Sequence, residues 1–214
     1  GLRMLRVEHL TRRYRRVLAV DDLSFTAHSG VITGLLGHNG CGKSTTMRIL
    51  AGSMSATAGR FWFDGQMGGV DSIEVKKRTG YIPDIGGVFP RLTGWEHMEL
   101  CARLFGIPDP LWRDRGRDLL EALQISDAAA NLAGTYSHGM GRKLSAAIAL
   151  LPQPELLLAD EPFDGVDADG VATISELLQA AANRGATVVL STHLLNIADN
   201  LCAQTWTMTR GAIR

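Results

Sequence analysis

Apolar and polar residues alternate with a period of two along Leu5 to Leu10, and again over Val17 to Val20 and Leu23 to Thr26. That is the pattern of strands burying one face, and it predicts an antiparallel sheet in the first thirty residues. Val31, Ile32, Leu35 and Leu36 then make a short apolar strand, and Met47, Ile49 and Leu50 put apolar residues on a following helix. Phe61 to Phe63 before Asp64-Gly65 predicts a further strand with a tight turn. After Pro90 the spacing becomes helical. Thr93 and Glu96 form a capping box ahead of Trp95, Met98, Cys101, Ala102 and Phe105, and Gly106 is placed to end that helix. Asp109-Pro110 opens a second helix carrying Leu119, Leu120 and Leu123, and Arg142 to Leu151 makes another. From Glu155 onward strand and helix alternate: Leu156 to Asp160, a helix through Val171, Ile174, Leu177, Leu178 and Ala181, then Thr187 to Leu190. Such alternation predicts a parallel sheet covered by helices.

The segment between the Val31–Leu36 strand and its helix reads Gly37-His38-Asn39-Gly40-Cys41-Gly42-Lys43-Ser44-Thr45. A glycine-rich loop ending in Lys-Ser, between a strand and a helix, has the spacing to cradle nucleoside triphosphate phosphates. Glycines at 37, 40 and 42 let backbone N–H groups approach phosphate oxygens, and the helix N-terminus adds positive potential. Lys43 reaches the β- and γ-phosphates, and Ser44 is placed to ligate Mg²⁺. The elements predict an α/β fold with a parallel sheet, an N-terminal antiparallel β subdomain and an inserted α-helical subdomain, and the phosphate loop makes its core resemble that of a P-loop NTPase (RecA-like). With no internal repeat, low-complexity tract or linker, we expect one domain over 1–214. Its core comprises about 1–85 and 153–214, and its helical section about 86–152.

Charge narrows the partners. The 22 basic and 22 acidic residues balance, so no global field draws the chain to nucleic acid or an anionic membrane. No apolar run approaches the ~20 residues of a transmembrane helix, and the N-terminus lacks a signal-peptide core. Any membrane role must then come through a partner. Cys41, Cys101 and Cys202 form neither a metal-ligand spacing nor a disulfide framework, which suits a reducing cytoplasm. Cys41, inside the phosphate loop, is either a thiol whose alkylation competes with nucleotide or a small residue that fits there.

Leu156 to Glu161 is an apolar strand ending in two carboxylates. Beside a phosphate loop, Asp160 is placed to hold Mg²⁺ through its water shell, and Glu161 to orient and polarise the water attacking the γ-phosphate. His193 follows the Thr187–Thr192 strand at the same sheet edge, where a neutral imidazole can bond a γ-phosphate oxygen or that water.

With these residues in view the chain resembles the ATP-binding cassette (ABC) ATPases over nearly its whole length. The most specific element is Tyr136-Ser137-His138-Gly139-Met140, shortly before Asp160-Glu161. It resembles the family's Leu-Ser-Gly-Gly-Gln signature, with Ser137 and Gly139 at matching positions. The resemblance implies that this loop contacts ATP held by an opposite subunit, homo- or heterodimeric. It also implies that Tyr14 stacks on adenine, that Gly165-Val166-Asp167 is the D-loop at the dimer interface, and that His193 is the switch histidine. The expected ligands are ATP and Mg²⁺. The expected partners are a second cassette and a transmembrane permease engaged through a coupling helix, at the cytoplasmic face of a membrane, with no nucleic acid.

Two departures stand out. Asp84 in Tyr81-Ile82-Pro83-Asp84 occupies the Q-loop position, where the family usually carries glutamine; ionised and shorter, it is a candidate Mg²⁺ contact. His138 replaces a signature glycine. It crowds the phosphate if the backbone needs positive φ, supplies a pH-sensitive donor, or is a tolerated surface residue. Gly87 to His97 is similar to the corresponding stretch of export-type cassettes, with Phe89 and Trp95 either lining the coupling-helix groove or filling the helical subdomain. The four arginines 12, 13, 15 and 16 around Tyr14 are either a solvated strand face or a phosphate or partner contact. The expected function is that of an ABC transporter ATPase subunit powering export. The alternatives are a soluble, non-transport ATPase of translation or DNA maintenance, and a regulatory ATP binder. Gly1-Leu2-Arg3 before Met4 suggests an excerpt from a longer chain.

Overall fold

The computed structural model describes residues 3–214; Gly1 and Leu2, which open the chain, lie outside the described residues. The chain begins with two long strands, β1 (Met4–Tyr14) and β2 (Val17–His28), paired antiparallel. The buried β3 (Ile32–Leu36) follows, and the phosphate loop then leads into α1 (Lys43–Leu50). β4 (Ala58–Phe63) and the short β5 (Gln66–Met67) complete an antiparallel sheet of order β2-β1-β4-β5. The short helix α2 (Ile73–Lys76) leads into β6 (Thr79–Ile82). Three helices, α3 (Gly94–Phe105), α4 (Asp109–Ala122) and α5 (His138–Leu150), intervene before β7 (Leu156–Asp160). Then come α6 (Ala168–Asn183), β8 (Thr187–Thr192), α7 (Leu195–Leu201), β9 (Gln204–Thr209) and β10 (Ala212–Ile213).

The second sheet has the order β10-β9-β3-β8-β7-β6, parallel throughout except for the β10 edge. Every residue of β3, β7 and β8 is buried, which is why these strands are almost continuously apolar in sequence. Period two still sorts their side chains. Leu157 and Ala159 belong to a core shared with the helical layer through Met98, Leu144 and Ile174, whereas Leu156 and Leu158 belong to a core shared with α1 and the antiparallel sheet through Leu5, Phe25, Met47 and Phe63. Parallel register has a further consequence. Leu36 pairs with Thr192, Asp160 with Ser191, and Ile82 with Ala159, so the loops leaving β3, β6, β7 and β8 all emerge on one edge.

Local signals fared well. Thr93 and Glu96 make both bonds of the capping box, and Gly106 ends α3 at φ 68°. The two strands expected between Val17 and Thr26 are a single β2, with Asp22 absorbing an irregularity at φ 51°. The helix expected from Arg142 begins at His138. α2, β6, α7, β9 and β10 had no predicted counterpart. Thr79-Gly80-Tyr81-Ile82 carries little apolar pattern and is a strand because it pairs with β7.

Candidate active site

The phosphate loop leaves β3 at Gly37 and wraps to Gly42, which caps α1 in the left-handed region at φ 104°. A Cβ at residue 42 would lie 2.4 Å from the Ala19 carbonyl oxygen, so only glycine fits. No side chain caps α1, leaving first-turn N–H groups facing the cleft, the arrangement that binds phosphate. A cavity of about 440 Å³ opens there, bounded by Asn39, Gly40, Gly42, Lys43, Ser44 and Thr45 on one side and by Asp84, Glu161, Asp164 and His193 on another. Val17, Leu18 and Ala19 of β2 form its apolar wall.

Lys43 is 4% exposed and directed at oxygen: it donates to the carbonyls of Gly37 and, at 3.2 Å, His38, and lies 3.3 Å from Glu161 Oε1. A phosphate oxygen entering the cleft can replace these acceptors. Glu161 follows β7 with φ 47°, an unusual conformation for a non-glycine residue that turns the chain sharply at the sheet edge. His193 Nδ1 lies 3.0 Å from Glu161 Oε2. An ionised carboxylate only accepts, so Nδ1 carries the proton and Nε2 remains free as an acceptor in the neutral ring. Glu161 is thus held between an ammonium and an imidazole at the edge of the cleft.

Asp160 is completely buried and accepts a hydrogen bond from the Ser191 hydroxyl. Burial raises its carboxyl above the ordinary range, and hydroxyl groups of Ser191 and Ser44 offset part of that rise. Among the described residues its Oδ2 has no partner of good hydrogen-bond geometry. A buried, orphaned carboxylate oxygen beside a serine hydroxyl fits a hard cation such as Mg²⁺, with Asp160 and Ser44 as its holders. Among the described residues no group of three or more His, Cys, Asp or Glu could form a cage, so phosphate and water would supply the remaining ligands. Mg²⁺ bound there would neutralise charge on the phosphates.

Ser137 caps α5, its hydroxyl accepting from the Met140 N–H at 3.2 Å. His138 is the first residue of α5 and has no positive φ, so the crowding that positive φ would have brought, one of the three alternatives for this residue, does not arise. Its ring covers Gly165, with Nε2 3.5 Å from Asp164 Oδ2. Gly139 lies against the Gly165 carbonyl, where a Cβ would approach to 2.9 Å. Asp167 caps α6 by accepting from Gly170 N–H at 2.7 Å. Ser137 and His138 line a second cavity of about 320 Å³ rather than the phosphate cleft. Among the described residues, then, the loop of Ser137 and His138 does not line the phosphate cleft.

Residues 20–164 match the family model described as "ABC transporter". The chain belongs to the ABC transporter family. It is 36% identical over 219 residues to ATP-binding cassette sub-family A member 2 of Rattus norvegicus, covering 99% of this chain and 9% of that protein. It is 35% identical over 199 residues to Nod factor export ATP-binding protein I of Ralstonia nicotianae, covering 93% and 62% respectively. The chain thus spans less than two thirds of the length of these relatives. Its fold superimposes on an ATP-binding subunit of an ABC transporter with a TM-score of 0.90 at 28% identity, over 98% of this chain and 88% of that one. A dimeric bacterial ABC transporter cassette gives 0.90 over 98% and 96%, at 21% identity, a likeness of fold.

In this ABC cassette Tyr14 and Asp84 sit differently from what the motifs led us to expect, and the alternative left open for Cys41 is decided. Tyr14 does not line the phosphate cleft: its ring lies beneath the Arg12 guanidinium at 4.8 Å and its hydroxyl donates to Met54 Sδ, while Val17 and Leu18 of the same hairpin line the cleft instead. Cys41 is 1% exposed, packed beneath Gly37, which makes it a filling residue rather than an accessible thiol. Asp84 lines the cleft, but Arg48 holds its carboxylate at 3.1 Å. Two further residues escaped the sequence reading. Ser191 bonds Asp160 across the β7–β8 register, and buried Arg142 donates to Pro83 O at 2.5 Å, Glu161 O at 2.9 Å and Asp160 O at 3.2 Å. A charged pair, Arg142-Lys143, at the start of an otherwise apolar helix was the available signal for Arg142; Ser191 had none.

Proposed function

We propose that this chain is the ATP-binding and ATP-hydrolysing unit of an export-type ABC transporter, pairing with a second cassette around two ATP molecules and driving a transmembrane permease through a coupling helix. The observation that carries the reading is Glu161, fixed between Lys43 and His193 at the mouth of a phosphate-sized cleft and adjoining the buried Asp160. In this reading Glu161 orients and deprotonates the attacking water, Lys43 neutralises γ-phosphate charge, and His193 bonds a phosphate oxygen or the water. The separation of Ser137, His138 and Gly139 from the phosphate loop supports a site completed by another cassette, with Asp167 near the junction. ATP then bridges two subunits, and hydrolysis removes the bridge. Tyr14 would have to leave Arg12 and Met54 to stack on adenine.

No helix among the described residues is long and apolar enough to cross a membrane. In this reading attachment at the cytoplasmic face of a membrane comes through the permease. Phe89 is 60% exposed, whereas Trp95 packs edge-on against Trp112 at 6.0 Å. Of the two aromatics, Phe89 is the better candidate for the coupling groove. The relative named for Nod factor export supports an export direction.

Mg²⁺-dependent ATP hydrolysis across a protein concentration series, with dimer mass followed in parallel, tests the proposal. Turnover per molecule should rise with concentration, and Glu161→Gln should abolish turnover while retaining an ATP-bound dimer. ATP binding without hydrolysis would instead favour the regulatory reading. Phe89→Glu should spare ATP binding and lose permease association; co-purification with ribosomes or DNA would refute the transport assignment.

A further inference from the structure

Asp84 places a negative charge where the resemblance implies a neutral glutamine, on a rim shared by the phosphate cleft and the cavity beside Ser137 and His138. Asp160 and Glu161 already make that region acidic, and Asp84 adds to the field on Asp160. An unpaired carboxylate here would repel both its neighbours and an incoming phosphate. Arg48 meets it from α1: Nη2 lies 3.1 Å from Oδ1 and 3.4 Å from Oδ2. The side chains are 36% and 19% exposed, so solvent only partly screens the pair. Tyr81 lies alongside, its hydroxyl buried without a well-formed hydrogen bond and pushed up to about 12, chiefly by burial and then by Asp160. This hydroxyl stays neutral, and the group facing Arg48 within hydrogen-bond distance is the Asp84 carboxyl.

The neighbouring Pro83 is fixed as well. Its carbonyl accepts from Arg142 of α5, the helix that Ser137 caps. The loop leaving β6 is thus held by a guanidinium on each side, one from the phosphate-binding helix and one from the signature helix.

We propose that Arg48 is a positioning residue that neutralises Asp84 and binds it to α1, so that this loop meets the cleft as an ion pair and Asp84 is not a metal ligand. The inference rests on reading the chain as an ATPase. It assigns Arg48 and Asp84 to a single functional unit standing in for one neutral glutamine. Any movement of the helical section relative to α1 must carry the pair along or break it.

The test is a cycle of Arg48→Met, Asp84→Gln and the double variant, with Arg48→Lys retaining charge. ATP turnover, the Mg²⁺ concentration that half-saturates binding of a fluorescent ATP analogue, and melting midpoints are measured for each. Arg48→Met should lower turnover on the order of tenfold by misplacing the loop, and should lower the half-saturating Mg²⁺ because a carboxylate is released. Asp84→Gln should leave the Mg²⁺ requirement within about twofold, and the double variant should return to within about threefold of Asp84→Gln alone, since the two losses are coupled. Arg48→Lys should fall between wild type and Arg48→Met. A tenfold higher Mg²⁺ requirement in Asp84→Gln would make Asp84 a metal ligand and overturn the proposal, as would losses that simply multiply in the double variant. Absence of turnover in the wild type would count against the ATPase reading alone; coupling in the Mg²⁺ titrations and melting midpoints would still decide the pair.

Discussion

Replacing Arg142 by methionine keeps most of the side chain's length and removes three hydrogen bonds, to the carbonyls of Pro83, Asp160 and Glu161. These acceptors belong to the loop after β6 and the end of β7, and Arg142 itself is 3% exposed, so water cannot readily take its place. Each charge-assisted bond contributes about 1.5–3 kcal/mol, and the acceptors become unsatisfied when it is lost. Against this, removing the guanidinium recovers several kcal/mol of ion desolvation, the same burial that lowers the Arg142 pKa. The net cost should be about 3 kcal/mol. For a chain of this size that corresponds to roughly 6–12 °C in melting midpoint. Calorimetry with parallel urea titration measures it, and an unchanged urea slope would show that the transition remains comparable. Arg142→Lys should recover less than half of the loss, because one ammonium cannot match a planar fork serving three carbonyls. Turnover should fall more than stability suggests, since the Glu161 backbone loses a tether. A methionine variant melting within 1 °C of wild type, with normal turnover, would refute the argument.

Asp160→Asn should raise the melting midpoint at neutral pH while weakening Mg²⁺-dependent ATP binding. The Asp160 carboxyl titrates above its ordinary 3.8 in the folded chain, so its ionisation opposes folding above the folded value, and that penalty fades as pH falls toward 3.8. The stabilisation by Asn should therefore shrink in acid; a gain that grows on acidification contradicts the burial argument. Gly42→Ala, forced into φ 104° against the Ala19 carbonyl, should lose ATP-analogue binding and at least about 2 kcal/mol of stability, checked by titration and melting. Native thiols should react slowly with an alkylating reagent, because Cys41 and Cys101 are buried and burial pushes the Cys101 and Cys202 thiols up to about 11. Rapid labelling of Cys41 that ATP blocks would show the phosphate loop to be more open than described.

What the sequence determined by itself lies close along the chain. The strand, glycine loop and helix around Lys43, the capping box of Thr93 and Glu96, the left-handed stop at Gly106 and the carboxylates ending β7 each depend on neighbours within a few residues. Period, capping geometry and glycine's access to positive φ act at that range, so these features are legible in order. Tertiary structure decided what depends on distant partners. It set the parallel strand order that brings Lys43, Asp160, Glu161 and His193 to one edge, and the pairing that makes a strand of Thr79–Ile82. It also joined Arg48 to Asp84 and Arg142 to Pro83, turned Tyr14 toward Met54, and buried Cys41 beneath Gly37. A guanidinium has no preferred partner along the sequence. Its role is set by which carbonyls and carboxylates the packed sheet and helices leave within its reach.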